Sequence, residues 1–302
     1  MLKISKKETL KESIPLIALM SALEVILVII ATYVPFSYLI IIFILMIPSV
    51  ILGISIKDKY YWLYFVSALS LSLIVSCLDI SFSVVFLLPS LIISFLFSLF
   101  IKHSLDYTIL IFISSVFLFL FEISLIPLIE LVLSQDFIKI IFDILKIENN
   151  LTNLGIVYGI IYIASFIEVS LSSLIIKEEI KKFEYSFNFN DKYTFILEII
   201  LFLCSIITIM SYYFFSFLTV LFLFIAFTIF LLSLFKLLIL KKYKRCYILF
   251  LIPILYVIYI YNQKFINYSV LISSFYIVYS LFNLIIEIIK LRTNRKTITR
   301  NQ

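Results

Sequence analysis

The chain alternates long apolar stretches with short clusters of charge. A helix needs about 20 largely apolar residues to cross the hydrocarbon core of a bilayer, and the 302 residues contain ten such stretches. They are Ile14–Tyr33, Phe36–Ile56, Tyr60–Leu78, Ser81–Ile101, Tyr107–Val132, Leu154–Ile176, Phe195–Phe215, Phe217–Leu240, Tyr247–Tyr261 and Tyr268–Ile289. The pattern predicts an all-α polytopic integral membrane protein with about ten transmembrane helices.

Charge orients the helices. With the N-terminus inside and the spans alternating, the inner segments are the N-terminal tail, Lys57–Lys59, Lys102–Asp106, Lys177–Lys192, Lys236–Arg245 and Lys290–Gln302. Of 24 basic residues only Lys139, Lys146 and Lys264 fall elsewhere. Lys and Arg concentrate in cytoplasmic loops, so the expectation is an N-in/C-in, multi-pass protein of the cell membrane. Removing one span would spoil the agreement. The net charge of +6 then reports topology and attraction to anionic headgroups, and no nucleic-acid partner is needed to explain it. The run Tyr60, Tyr61, Trp62 and Tyr64 falls at a predicted inner interface, where amphipathic rings belong. The basic start leads into an apolar stretch of spanning length, which reads as a retained first helix rather than a signal peptide.

Composition adds constraints. The chain is 64% hydrophobic and 14% charged, against about a quarter charged in soluble domains. Its 32 Phe, 20 Tyr and 3 Gly, with Lys far above Arg, suggest an AT-rich genome. A single histidine, His103, placed in a predicted inner loop, removes most metal-site and His-based catalytic schemes. Cys77, Cys204 and Cys246 are too scattered for a metal cluster or disulfide framework and read as small packing residues. HExxH, GxSxG and GxxxxGK[ST] motifs are all missing from the sequence. The expectation is a protein that is not an enzyme and holds no metal or cofactor.

The longest inner loop divides the chain into a six-helix part, 1–182, and a four-helix part, 183–302. In the longest outer segment, Ser134–Asn153, Asp136, Lys139, Asp143 and Lys146 recur at helical spacing among Phe137, Ile140, Ile141, Ile144 and Leu145. This predicts an amphipathic helix on the outer surface, as a connector resting on lipid or as a lid over an outward-facing site. Small residues four apart let helix backbones approach closely in lipid. Gly155-Ile-Val-Tyr-Gly159 and Ala18-Leu-Met-Ser-Ala22 have that spacing, for packing within the chain or for a partner-binding face. Pro48, Pro89, Pro127 and Pro253 fall inside predicted spans, where each removes a backbone donor.

Ionisable side chains at bilayer depth are expensive and mark candidate sites. Glu24, Glu122 and Glu168 lie near mid-depth of the first, fifth and sixth spans. Glu130 lies toward an outer end. Glu198 and Glu287 lie toward inner ends, where they are expected to reach the interface. No Lys or Arg is predicted at mid-depth. Either these acids are neutral and hydrogen-bonded to Ser or Tyr hydroxyls in a dry bundle, or they converge on a polar cavity that takes a cation, an amine or a proton. Glu24, Glu122 and Glu168 are therefore the candidate substrate-binding residues.

The opening pattern resembles the substrate-binding S-components of energy-coupling-factor transporters. It has a basic start, the Ala18–Ala22 pair, a short outer turn with Pro35, and a second apolar helix ending near Ile47-Pro48-Ser49-Val50 and Gly53. The resemblance covers about the first 180 residues. Length and hydropathy are similar to the YybS-like membrane proteins, which look distantly related to those S-components. The resemblance implies that Ala18 and Ala22 dock on a transmembrane coupling subunit that works with ATPases. The resulting expectation is a substrate-binding or transport subunit for a small solute. The alternative is a non-catalytic assembly, regulatory or lipid-handling protein of the membrane.

Overall fold

The computed structural model describes residues 9–76, 83–133, 136–145, 148, 150–182, 192–239 and 265–300. Every regular element among them is helical. In order they are α1 (Leu10–Tyr33), α2 (Tyr38–Ile44), α3 (Met46–Ser55), α4 (Asp58–Val75), a π-helical turn at Ser83–Leu87, α5 (Leu88–Lys102), α6 (Tyr107–Leu133), α7 (Phe137–Leu145), α8 (Leu151–Lys181), α9 (Lys192–Tyr212), α10 (Ser216–Ile239) and α11 (Phe265–Arg300).

Among the described residues, seven helical stretches are long and apolar enough to cross a membrane: Leu10–Tyr33, Tyr38–Ser55, Ser83–Lys102, Tyr107–Pro127, Asn153–Lys181, Phe195–Tyr212 and Ser216–Lys236. Each coincides with a predicted span. The predicted third span forms α4, whose first turn carries Asp58 and Lys59 and lowers its hydropathy. Tyr247–Tyr261 lies outside the described residues. The tenth falls within α11, whose described apolar run, Ile272–Ile286, is shorter than a span.

The distribution of side chains across α1 is inverted relative to a helix in water. Its buried residues include Ser13, Ser21 and Glu24, while Leu19, Leu23, Ile26 and Ile30 face outward. Lipid is as apolar as leucine, so polar groups must find partners inside the bundle and apolar ones can face out. This inversion, with the seven apolar helices, points to a membrane protein.

Local chemistry accounts for several helix ends. Thr9 caps α1, its Oγ1 accepting from the Glu12 amide at 3.4 Å, the spacing of a capping box. Pro48 has no N–H to offer the carbonyl of Ile44, and the second predicted span parts into α2 and α3 at Leu45. Pro89 enters α5 in its first turn, directly after the π-helical turn. Pro127 sits inside α6, which continues past it, and Pro253 lies outside the described residues. Two turns take left-handed backbone at non-glycine residues, Phe36 with φ 63° and Ser104 with φ 51°.

The chain forms two compact units, Met1–Ser134 with Ala164–Asn188, and Gln135–Ile163 with Phe189–Gln302. The boundary falls within α8, between Ile163 and Ala164. In the first unit α1 packs on α3 and α4, α3 on α5, and α5 on α6. Val28, Leu45, Leu52, Tyr61, Tyr64, Ala68 and Leu91 belong to its core. In the second unit α9 packs on both α10 and α11, and α10 on α11. This unit also holds α7, where Asp136 caps the helix by accepting from the Lys139 amide at 2.8 Å. Phe142 of α7 is buried, whereas Ile140 and Ile144 are exposed beside Lys139 and Asp143.

Contacts at helix ends link particular loops of the first unit. Lys102 Nζ lies 2.5 Å from Asp58 Oδ1 and donates to the Ile56 carbonyl at 2.8 Å. Lys177 Nζ stands 5.7 Å from the centre of the Tyr107 ring. At opposite ends of α1 and α5, the Tyr33 hydroxyl donates to the Val75 carbonyl at 3.2 Å, and Ser76 meets Ser83 at 2.7 Å.

All three glycines sit where another helix presses close. A Cβ on Gly53 would come within 2.6 Å of Ser98 Cβ. On Gly155 it would meet the Phe217 carbonyl oxygen at 2.7 Å and Cα at 3.1 Å, and on Gly159 the Phe224 ring at 2.0 Å. The glycine pair thus faces α10. By contrast, Ala18 and Ala22 are exposed on α1, beside Leu19, Leu23 and Ile26.

Candidate functional site

The three mid-depth carboxyls belong to the first unit and fall into two arrangements. Glu24 of α1 is fully buried. Its Oε1 accepts from Ser49 Oγ of α3 at 2.5 Å and from the Tyr64 hydroxyl of α4 at 2.8 Å. Ser49 and Tyr64 are themselves 2.7 Å apart, so three helices meet at one carboxyl oxygen. One turn before Glu24, Ser21 shares a hydrogen bond with Ser67 of α4 at 2.9 Å. The other oxygen, Oε2, is buried with no hydrogen-bond partner among the described residues.

Of the aromatic run expected to line the inner interface, only Trp62 is exposed and Tyr60 half-buried. Tyr61 and Tyr64 are core residues. The Tyr61 hydroxyl donates to the Leu91 carbonyl at 2.7 Å, while Tyr64 serves Glu24. Two neighbouring tyrosines separated by three positions share a helical face, and here that face turns inward.

Glu122 and Glu168 lie on facing stretches of α6 and α8. Glu122 Oε2 accepts from Ser165 Oγ of α8 at 2.6 Å. Glu168 lies three residues after Ser165, on the same helical face. Both carboxyls are half-buried. Glu24 has its own partners and is not part of this pair. Further along the same two helices, the Tyr107 hydroxyl and Ser173 Oγ are 2.7 Å apart.

The second unit holds a polar cluster that hydropathy does not reveal. Glu198 of α9 is fully buried and does not reach the interface as expected. Its Oε1 accepts from Ser233 Oγ of α10 at 2.5 Å and from Asn283 Nδ2 of α11 at 3.2 Å, and Ser233 lies 3.1 Å from the Tyr279 hydroxyl. Lys236, one turn after Ser233, is also fully buried, although its sequence position suggested the head of an inner loop. Elsewhere in this unit the Tyr162 hydroxyl meets Thr228 at 2.8 Å, and Cys204 is a buried free thiol. Cys77 and Cys246 lie outside the described residues, as does the Glu287 side chain.

On the helices that carry these acids, polar positions recur about seven apart. Ser165 and Ser172 bracket Glu168 on α8, Ser115 precedes Glu122 on α6, and Ser205 follows Glu198 on α9. Seven residues are two turns, so each set lies along one face. Among the described residues no three His, Cys, Asp or Glu side chains are grouped to hold a metal ion. Compared with known proteins, the chain matches no family model, no curated protein and no solved structure.

Proposed function

We propose that the protein is a ten-span, N-in/C-in membrane subunit that binds a small, positively charged solute in its first unit. The observation that carries this reading is the Glu122–Ser165 bond, which sets Glu122 of α6 against the stretch of α8 that bears Glu168. Carboxyls inside a bilayer ordinarily face a functional partner or a wet cavity, and a cation relieves the repulsion between two of them. The topology draws support from the loop contacts. Asp58 with Lys102, and Lys177 with Tyr107, join three segments that it places on the inner side. Tyr33 and Val75 join two that it places on the outer side.

Similarity to S-components extends the proposal to a partner, a transmembrane coupling subunit with ATPases. The exposure of Ala18 and Ala22 supports that docking face. A second reading, a non-catalytic assembly or regulatory protein, is favoured by the Glu24 and Glu198 clusters. There, hydroxyl and amide donors from neighbouring helices converge on a carboxyl as internal glue.

Two measurements separate these readings. Equilibrium dialysis of the detergent-solubilised protein against radiolabelled methylammonium should give saturable binding, with a neutral amide of the same size as control. Removing the charge-assisted contacts by Glu122→Gln with Glu168→Gln should weaken that binding by at least about tenfold. Purification from the native host should recover a coupling subunit with ATPases, and Ala18→Leu with Ala22→Leu should release it. No binding that depends on the pair, together with recovery of the protein alone or with unrelated envelope proteins, would move the second reading to the front.

A further inference from the structure

Two tight turns between spans, one in each compact unit, carry exposed aromatic residues and no charge. In the first unit α1 passes to α2 through residues 34–37, where Phe36 is 75% exposed and Tyr33 and Tyr38 are exposed beside it. In the second unit α9 passes to α10 through Tyr213, Phe214 and Phe215, which are 76%, 77% and 64% exposed. The sequence has no charged residue between Glu198 and Lys236, and only Glu24 between Glu12 and Lys57. The segments leading into α4 and α6 are built the opposite way. They expose Lys57, Asp58, Lys59, His103 and Ser104, the polar surface expected of backbone that bends in water.

The backbone of both aromatic turns meets much of its hydrogen-bonding need internally. The Phe214 and Phe215 amides donate to the Ser211 carbonyl at 3.0 and 2.7 Å. The Phe215 carbonyl accepts from the Thr219 amide at 3.1 Å and from its hydroxyl at 3.2 Å. In the other turn the Ser37 amide donates to the Val34 carbonyl at 3.2 Å, and Ser37 Oγ lies 2.7 Å from the carbonyl oxygens of both Ile30 and Val34. Pro35 has no amide to satisfy. Backbone that pairs its polar groups internally can leave water.

Phe36 supplies a second observation. Its φ of 63° is a conformation that glycine takes without strain and an aromatic residue takes at a cost. In water the exposed ring would add a hydration cost to the backbone cost. Both are offset where the surroundings bury the ring, and the surroundings at the end of a span are lipid. Exposed neighbours are apolar as well, Leu39 and Ile40 on α2 and Met210 on α9. A charged partner would find nothing to pair with at either turn. Tyrosines flank both turns, Tyr33 and Tyr38 at one and Tyr212 and Tyr213 at the other, and such rings settle where hydrocarbon meets headgroups.

We propose that the turns at 34–37 and 213–215 are lipid-binding tips, seated at the boundary between headgroups and acyl chains with Phe36, Phe214 and Phe215 against the chains. Each tip anchors the depth of its own helix pair. The inference requires that these helices span a bilayer, and it is independent of any solute and of which membrane face is outer.

Tryptophan fluorescence in the whole protein tests it. The chain has one tryptophan, so Trp62→Phe gives a silent background for Phe36→Trp, Tyr213→Trp, Phe214→Trp or His103→Trp. Each protein is reconstituted in phosphatidylcholine vesicles whose chains carry bromine near the headgroup end or near the methyl end, and iodide is added on both sides. Tryptophan at 36, 213 or 214 should emit at shorter wavelength than tryptophan at 103. It should lose most of its fluorescence to headgroup-end bromine, less to methyl-end bromine and little to iodide. Tryptophan at 103 should respond most to iodide. Circular dichroism confirms that each variant is folded, and positions 213 and 214 report on the same turn should one variant fail to fold. Iodide quenching at the turns equal to that at 103 would put them in water, open to a soluble partner. Protection from both quenchers would put them under protein, and stronger quenching by methyl-end bromine would put them in the hydrocarbon centre. Any of these three results would overturn the proposal.

Discussion

Replacing Gly155 by alanine is expected to destabilise the second unit by about 1–3 kcal/mol, the usual cost of overfilling a well-packed contact. The added Cβ would lie 2.7 Å from the Phe217 carbonyl oxygen and 3.1 Å from its Cα. Both are backbone atoms, so relief requires α10 to move as a whole. Gly159→Ala presents a different obstacle, because its Cβ would strike the Phe224 ring at 2.0 Å, and a ring can be removed by mutation. Phe224→Leu should therefore recover most of the stability lost in Gly159→Ala and almost none of that lost in Gly155→Ala. Unfolding by sodium dodecyl sulfate in mixed micelles, followed by circular dichroism, measures all four variants. A Gly155→Ala protein as stable as the native one would show that α8 and α10 do not meet at this distance.

The second large effect is expected at Glu24. Ser49→Ala and Tyr64→Phe each remove one of the two donors to Glu24 Oε1. Loss of a partner to a buried polar group costs of order 1–3 kcal/mol. Because both donors serve one oxygen and touch each other at 2.7 Å, the two losses should not add. A double-mutant cycle should give a coupling of order 0.5 kcal/mol or more. The informative comparison is the triple variant Glu24→Leu, Ser49→Ala, Tyr64→Phe, which removes donors and acceptor together. Replacing a whole buried polar group by apolar side chains of similar shape is often nearly neutral. The triple variant should accordingly unfold at a higher detergent concentration than the Ser49→Ala, Tyr64→Phe double. If it is the least stable of the series, the carboxyl itself holds α1, α3 and α4 together, in a way its two hydrogen bonds do not explain.

Hydropathy and charge were enough to read the helices, because a bilayer demands a length and a polarity that a single sequence carries on its face. Seven predicted spans reappear almost unchanged, and Ser134–Asn153 contains the short amphipathic helix its periodicity suggested. Glu24, Glu122 and Glu168 stood out because charge is conspicuous in an apolar run. Their partners did not. Ser49 and Tyr64 are 25 and 40 residues from Glu24, and nothing in a one-dimensional pattern links residues so far apart. Tyr64 was misleading for a physical reason, since tyrosine suits both a headgroup boundary and a buried donor. Glu198 and Lys236 show the same ambiguity, because a charge near a helix end can point along the helix into the bundle as easily as out of it. The passage of α8 from one compact unit to the other leaves no mark in hydropathy, which counts apolar residues without recording what they touch.

The three glycines, set against the turns at Phe36 and Ser104, suggest how this chain has tolerated its composition. A position that glycine would suit can in some places bear a bulkier residue instead. A left-handed turn can bear one, since the strain of order 1–2 kcal/mol stays with a single residue; Phe36 and Ser104 occupy such turns. A helix contact such as that at Gly155 cannot, since a side chain there meets the backbone of the neighbouring helix. In this chain glycine serves room and not backbone shape. Each glycine of this chain thus marks a place where a neighbouring helix leaves no room for even one more carbon.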